Sequence, residues 1–142
     1  MKQTLAILKP DCLQRNLVGK VIDRIEENGF EISGMKMIKM TKEQAEGFYA
    51  VHQGKPFFAE LVEFMTESPV VVAALRKENA VQAWRDLMGA TNPENAAPGT
   101  LRKEYAESIG RNTVHGSDSD ANATREIAFF FSESDLILTQ KG

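Results

Sequence analysis

Residues 4–29, TLAILKPDCLQRNLVGKVIDRIEENG, change their hydrophobic period halfway along, and that change decides the kind of fold. Thr4 to Lys9 form a short apolar run stopped by Pro10, and its brevity with the proline boundary predicts a buried strand. Val18, Val21, Ile22 and Ile25 then recur at i, i+3, i+4 and i+7, the spacing of one helix face, until Asn28 and Gly29 end the pattern. Outward from there, residues 30–40 half-alternate and predict a second strand. Thr41 and Gln44 form a capping box that opens a helix to about Tyr49. Phe57, Leu61 and Phe64 share a further helical face, with Pro56 in its first turn. The β-branched run VVVAAL from Val70 predicts a third strand, and Asn79 is placed to cap a helix carrying Val81, Trp84 and Met88 on one stripe. A short helix over residues 101–108 and a last strand over EIAFFF, residues 126–131, complete the order. The expectation is an α+β fold: a ferredoxin-like βαββαβ sandwich with a four-stranded, mainly antiparallel sheet, helices over one face, an inserted helix pair and a long active-site loop at about residues 89–125.

Composition narrows the class of function. At 142 residues the chain fits one domain over residues 1–142, enough to bury about two-thirds of its unfolded surface. The longest apolar run, PVVVAAL, is too short to span a bilayer, and Lys9 and Asp11 interrupt the apolar N-terminus where a secretion signal would continue. No membrane association is therefore expected, and a cytoplasmic location is. The single cysteine, Cys12, has no intrachain partner, in keeping with a reducing compartment. A formal net charge of −3 gives no basic footprint, so nucleic acid is not expected as the primary partner. A small anion held in one local basic pocket remains compatible.

The loop holds one of only two histidines, His115, within GRNTVHGSDSDAN, a stretch with almost nothing hydrophobic to pack. An imidazole, with an ordinary pKa of about 6.5, is suited to act as a neutral nucleophile or base near neutrality. Gly116 lets the backbone approach closely, Ser117, Asp118 and Ser119 offer local side-chain to backbone hydrogen bonds, and the Glu126 carboxylate can orient the ring. Other chemistries fare worse. Two distant histidines and one cysteine make a poor zinc set. No G-x-S-x-G elbow occurs, and YAVHQGKP has Tyr49 and Pro56 where a Walker loop needs glycine and serine or threonine.

The segment NTVHGSDS, residues 112–119, resembles the N-x-x-H-G-S-D-S signature of nucleoside diphosphate kinases, and LKPDCLQR, residues 8–15, resembles their K-P-D-x-x-x-R motif. The likeness runs over essentially the whole chain, with the motifs in the expected order. It implies a reversible ping-pong transfer in which a nucleoside triphosphate, typically ATP, passes its γ-phosphate to His115 and a nucleoside diphosphate collects it, with Mg²⁺ held mainly by the nucleotide's phosphates and water rather than by a protein metal site. By the same resemblance Lys9, Arg85, Thr91 and Arg102 hold the phosphates. Phe57 stacks on the base with Leu61 beneath and Ile109 opposite, Asn112 binds the ribose, and Tyr49 and Glu126 fix the imidazole. Stacking tolerates every base, so ATP, GTP and other ribo- and deoxynucleotides are all implied substrates. His52 has no counterpart in the motifs and reads as an ordinary helix-end histidine. Cys12 stands where the family more often has glycine or alanine, offering an oxidisable thiol, and Ile109 stands where valine is usual. The chain's short C-terminus resembles the bacterial type of subunit, implying a dimer-based homo-oligomer of tetrameric kind, with Glu133 and Asp135 able to influence assembly.

Overall fold

The computed structural model describes residues 2–137. Strands β1 (Gln3–Leu8), β2 (Glu31–Ile38), β3 (Val70–Arg76) and β4 (Val114–Gly116) form one sheet in the order β2-β3-β1-β4. Every neighbouring pair is antiparallel; Ile7 faces Val72 on one side and His115 on the other. The helices are α1 (Pro10–Gln14), α2 (Val18–Glu27), α3 (Lys42–Phe48), α4 (Phe58–Thr66), α5 (Ala80–Met88), α6 (Leu101–Tyr105) and α7 (Asp120–Phe130), with short 3-10 turns at Ala50–His52, Pro93–Asn95 and Glu133–Asp135.

The expected α+β sandwich is present, but helices cover both faces of the sheet rather than one. Ala6, Leu8, Ala73 and Leu75 pack with Val21, Ile25, Trp84 and Leu87, while Leu5, Ile7, Val70 and Val72 pack with Phe48, Val62, Met65 and Ile127. Strands buried on both faces read as continuous apolar runs instead of alternating ones, which is why TLAIL and VVVAAL carry no polar side.

The larger correction concerns the last strand. EIAFFF does not form it; all but Phe131 lies in α7, and the fourth strand is the three-residue segment that contains His115. The Ser119 side chain accepts the Asn122 amide and caps α7, and Ala123, Glu126 and Ile127 then fall at i, i+3 and i+4 as its buried face. Phe129 is left partly exposed, so three consecutive phenylalanines do not share one environment. Asn79 precedes α5 as expected but adopts φ 55° and makes no side-chain cap, and α6 ends at Tyr105, short of the expected Ser108.

At Gly116 the sheet and α5 come too close for any side chain. A Cβ there would lie 2.4 Å from Trp84 Cδ1 and 2.6 Å from Met88 Cε, and the Trp84 indole donates its N–H to the His115 carbonyl at 3.1 Å. Gly116→Ala is therefore expected to destabilise by about 1–3 kcal/mol through overpacking, read as a lower urea midpoint with an unchanged slope.

Candidate active site

His115 stands at the sheet edge on β4, backed by α7. Its Nε2 lies 3.1 Å from Glu126 Oε1, and the same carboxylate oxygen accepts the Ser117 hydroxyl at 2.9 Å. Ser117 Oγ in turn accepts the Leu5 amide of β1 at 3.2 Å. A carboxylate held in this way sets the imidazole tautomer: Nε2 carries the proton and donates it to Glu126, leaving the lone pair on Nδ1. Phe48 and Tyr49 present their rings edgewise to the imidazole at centroid distances of 5.6 and 6.3 Å. The Tyr49 hydroxyl is buried without a hydrogen-bond partner, and burial, followed by the Glu126 charge, holds its pKa above that of an ordinary phenol. Tyr49 thus meets His115 through ring contact and not through a hydrogen bond.

Two clefts meet at Thr91. The smaller, of about 260 Å³, is lined by Arg85, Thr91, Arg102 and His115 with Met88, Gly89, Ala90 and Gly116. The larger, of about 640 Å³, is lined by Lys9, Phe57, Leu61, Thr91, Ile109 and Asn112 together with Glu60, Phe64, Gly110 and Arg111. All the residues named from the sequence as phosphate, ribose or base contacts therefore line these two adjoining clefts, although they come from α4, α5, α6 and the connecting segments.

The cations are held by backbone and burial. Lys9 is nearly buried and donates from Nζ to Asn112 Oδ1 at 2.7 Å, while Asn112 Nδ2 donates to the Thr91 carbonyl at 3.2 Å. Arg102 donates to the carbonyls of Gly89 and Val114 at 3.0 and 2.8 Å. Loss of solvent, with repulsion from Arg102 as a second cause and Asp11 opposing, pushes the Lys9 pKa down to about 8. Burial and then Arg85 lower Arg102 to about 10, leaving it a cation at neutral pH. Phe57 and Ile109 are 46% and 58% exposed, a large apolar exposure that suits a flat ligand.

Lys9 gives the pH dependence a definite sign. Above about pH 8 the free protein loses this ammonium, so kcat/KM for a polyphosphate substrate is expected to fall as pH rises through that value. The limb should move to higher pH in Lys9→Arg; a flat profile from pH 7 to pH 9.5 would contradict the role of this cation.

One further residue, Ser117, was not legible as part of the site, and His52 and Cys12 stand near it. Ser117 looked like a local turn-former, whereas it joins β1 to Glu126 across the fold; its place beside His115 in the signature was the available clue. His52 lies between Tyr49 and Phe57, with centroids 6.3 and 5.2 Å away and a buried, unpartnered Nδ1. Cys12 is fully buried and its thiol is pushed up to about 12, chiefly by burial, so the oxidisable thiol expected beside Lys9 is shielded from solvent.

An imidazole aimed by a buried carboxylate, beside desolvated cations and an apolar shelf, is built for nucleophilic chemistry on a phosphorylated substrate with a flat, apolar part. The family model described as Nucleoside diphosphate kinase matches residues 2–136. The chain is 58% identical to the nucleoside diphosphate kinase of Geotalea uraniireducens, over 96% of this chain and 100% of that one, and equally so to the enzyme of Pelobacter propionicus, with the same coverage. Among solved structures, the Aquifex aeolicus nucleoside diphosphate kinase superposes with a TM-score of 0.94 at 42% identity, covering 96% of this chain and 99% of that one. The Halobacterium salinarum enzyme in complex with CDP gives 0.94 at 39% identity, covering 98% and 93%. The chain belongs to the nucleoside diphosphate kinase family.

Proposed function

We propose that this protein interconverts nucleoside tri- and diphosphates by ping-pong phosphoryl transfer with His115 as the nucleophile. The observation that carries the reading is the 3.1 Å contact between His115 Nε2 and Glu126, which leaves Nδ1 as the attacking atom at the edge of a cationic cleft. Nδ1 attacks the γ-phosphorus of the triphosphate, the bond to the bridging oxygen breaks, and the diphosphate departs; the second nucleotide's terminal oxygen then takes the phosphoryl group back. No proton need leave His115, since Nδ1 enters the step unprotonated and Glu126 steadies the positive charge that develops on the ring.

Lys9, Arg85, Thr91 and Arg102 hold the phosphates in this reading, and Asn112 holds the ribose while fixing Lys9. Phe57 stacks on the base, with Leu61 below and Ile109 facing it; their apolar shelf supports broad acceptance of ATP, GTP and other ribo- and deoxynucleotides. The family's divalent cation is taken here as Mg²⁺ arriving with the nucleotide, where it neutralises phosphate charge. Among the described residues no group of three His, Cys, Asp or Glu side chains converges as a metal cage.

A homo-oligomer built from dimers, of tetrameric kind, is part of the same proposal. Strand β2 lies at an edge of the sheet with Met35 and Met37 exposed, which supports self-association there. The free, buried Cys12 supports a cytoplasmic location, and the acidic net charge supports free nucleotides over nucleic acid as ligands. Among the described residues no helix is long and apolar enough to cross a membrane. The whole described fold is proposed to act as a single catalytic domain.

The test is brief exposure to Mg²⁺-ATP without acceptor, followed by quenching and mass analysis. One acid-labile, alkali-stable phosphoryl group per chain, located on His115, is the expected result. An unlabelled chain, or label on another residue, would end the proposal.

A further inference from the structure

Asp11 belongs to the K-P-D motif, yet none of the roles above uses it. Its side chain is buried on α1, and its Oδ2 accepts the backbone amide of Thr113 at 3.0 Å across a sequence separation of 102 residues. The carbonyl of Thr113 is taken by the adjacent Lys9 amide at 2.9 Å. Both backbone polar groups of Thr113 are thus bound by the segment from Lys9 to Asp11.

The residue so held is in an unfavourable conformation. Thr113 has φ 75°, a left-handed angle that a β-branched residue rarely adopts. The Val114 amide donates to the Asn112 carbonyl at 2.8 Å, closing a γ-turn around Thr113, the strained form with positive φ at its centre. Asn16 and Asn79 also have positive φ, but asparagine tolerates that region far better than threonine. Thr113 is fully buried, so the turn persists because its surroundings impose it.

What the turn joins gives the strain its meaning. On one side Asn112 holds the Lys9 ammonium; on the other, Val114 and His115 enter β4 in register with Leu8 and Ile7. Relaxing Thr113 to negative φ would rotate one of these flanks relative to the other. Given the reading of His115 as nucleophile, on which this inference rests, we propose that Asp11 is a positioning residue: its carboxylate pins the amide of the strained Thr113 turn and thereby fixes Asn112 and His115 relative to one another for phosphoryl transfer. A carboxylate suits the task because a charge-assisted bond to an amide is stronger than a neutral one. Burial raises the Asp11 pKa while the Lys9 charge and the Thr113 amide oppose that rise.

The experiment measures the rate at which His115 takes phosphate from saturating Mg²⁺-ATP in a single turnover, in the full chain and in Asp11→Ala, Asp11→Asn and Asp11→Ala/Thr113→Gly. Asp11→Ala should be slowed on the order of 10²-fold, the penalty of a misplaced reacting group. Asp11→Asn keeps an oxygen acceptor for the amide and should stay close to the parent. The decisive arm is the double variant: glycine adopts positive φ without strain, so Thr113→Gly should restore much of the rate lost in Asp11→Ala. A role confined to general stability predicts no such rescue. Asp11→Ala as fast as the parent, or a double variant no faster than Asp11→Ala, would overturn the proposal. Should Asp11→Ala not fold, Asp11→Asn decides, with near-parental labelling in support and a loss on the order of 10²-fold against. A parent chain that takes no phosphate defeats the reading of His115 itself; a labelled parent beside an equally fast Asp11→Ala defeats only the role of Asp11.

Discussion

His115→Ala is expected to lose turnover by at least about 10⁴-fold and to take no phosphate from Mg²⁺-ATP. The expectation follows from what alanine removes and what it leaves. Arg85, Arg102, Lys9 and the apolar shelf all remain, so nucleotide affinity should change little, but the proposed phosphohistidine would have no atom on which to form. Direct transfer between two nucleotides would require both to occupy the cleft beside His115 together. Steady-state assays at saturating substrate, paired with equilibrium binding of a diphosphate, separate the two quantities. Retained turnover in His115→Ala would show that some other group receives the phosphate.

Lys9→Ala should rank second, with turnover reduced about 10²–10³-fold, the usual cost of removing one preorganised donor from a transition-state site. The ammonium has already been stripped of most of its water and is aligned by Asn112 at 2.7 Å, so little reorganisation is needed when phosphate charge develops beside it. Removing it also leaves Asn112 Oδ1 without its donor, which loosens the link to the Thr91 carbonyl. Melting temperature is not expected to follow activity, because a buried cation with a depressed pKa is itself unfavourable to the fold. Cys12→Ala, three residues along and fully buried, makes the control: it should leave turnover close to the parent. If Cys12→Ala proved the more damaging change, the assignment of the phosphate cradle would be wrong.

Most of the architecture was legible because its signals are local. The switch from an apolar run to a 3.6-residue spacing located β1 and α2, and the Thr41 capping box located α3, with both of its hydrogen bonds present. Reading failed where local and long-range information conflict. EIAFFF has strand propensity, but the cap at Ser119 and the spacing of Ala123, Glu126 and Ile127 favour a helix, and the sheet edge was already taken by three residues around His115. So short a strand has no periodicity to detect; pairing with β1 creates it. The site followed the same rule. Lys9, Asn112 and His115 stood out through their motifs, whereas Ser117 and Asp11, which stand in the same motifs, take backbone amides from Leu5 and Thr113, more than a hundred residues away, and no local spacing reveals those partners.

The two halves of the cleft are secured very differently. Around His115 the imidazole is tied through Glu126 to α7 and through Ser117 to β1, and even a methyl group at Gly116 would collide with Trp84. Phe57 and Ile109, by contrast, stand half in water on separate segments. If the proposed base shelf is correct, directed evolution toward altered nucleobase preference has its freedom at that outer rim, where side chains can be exchanged without disturbing the machinery beneath.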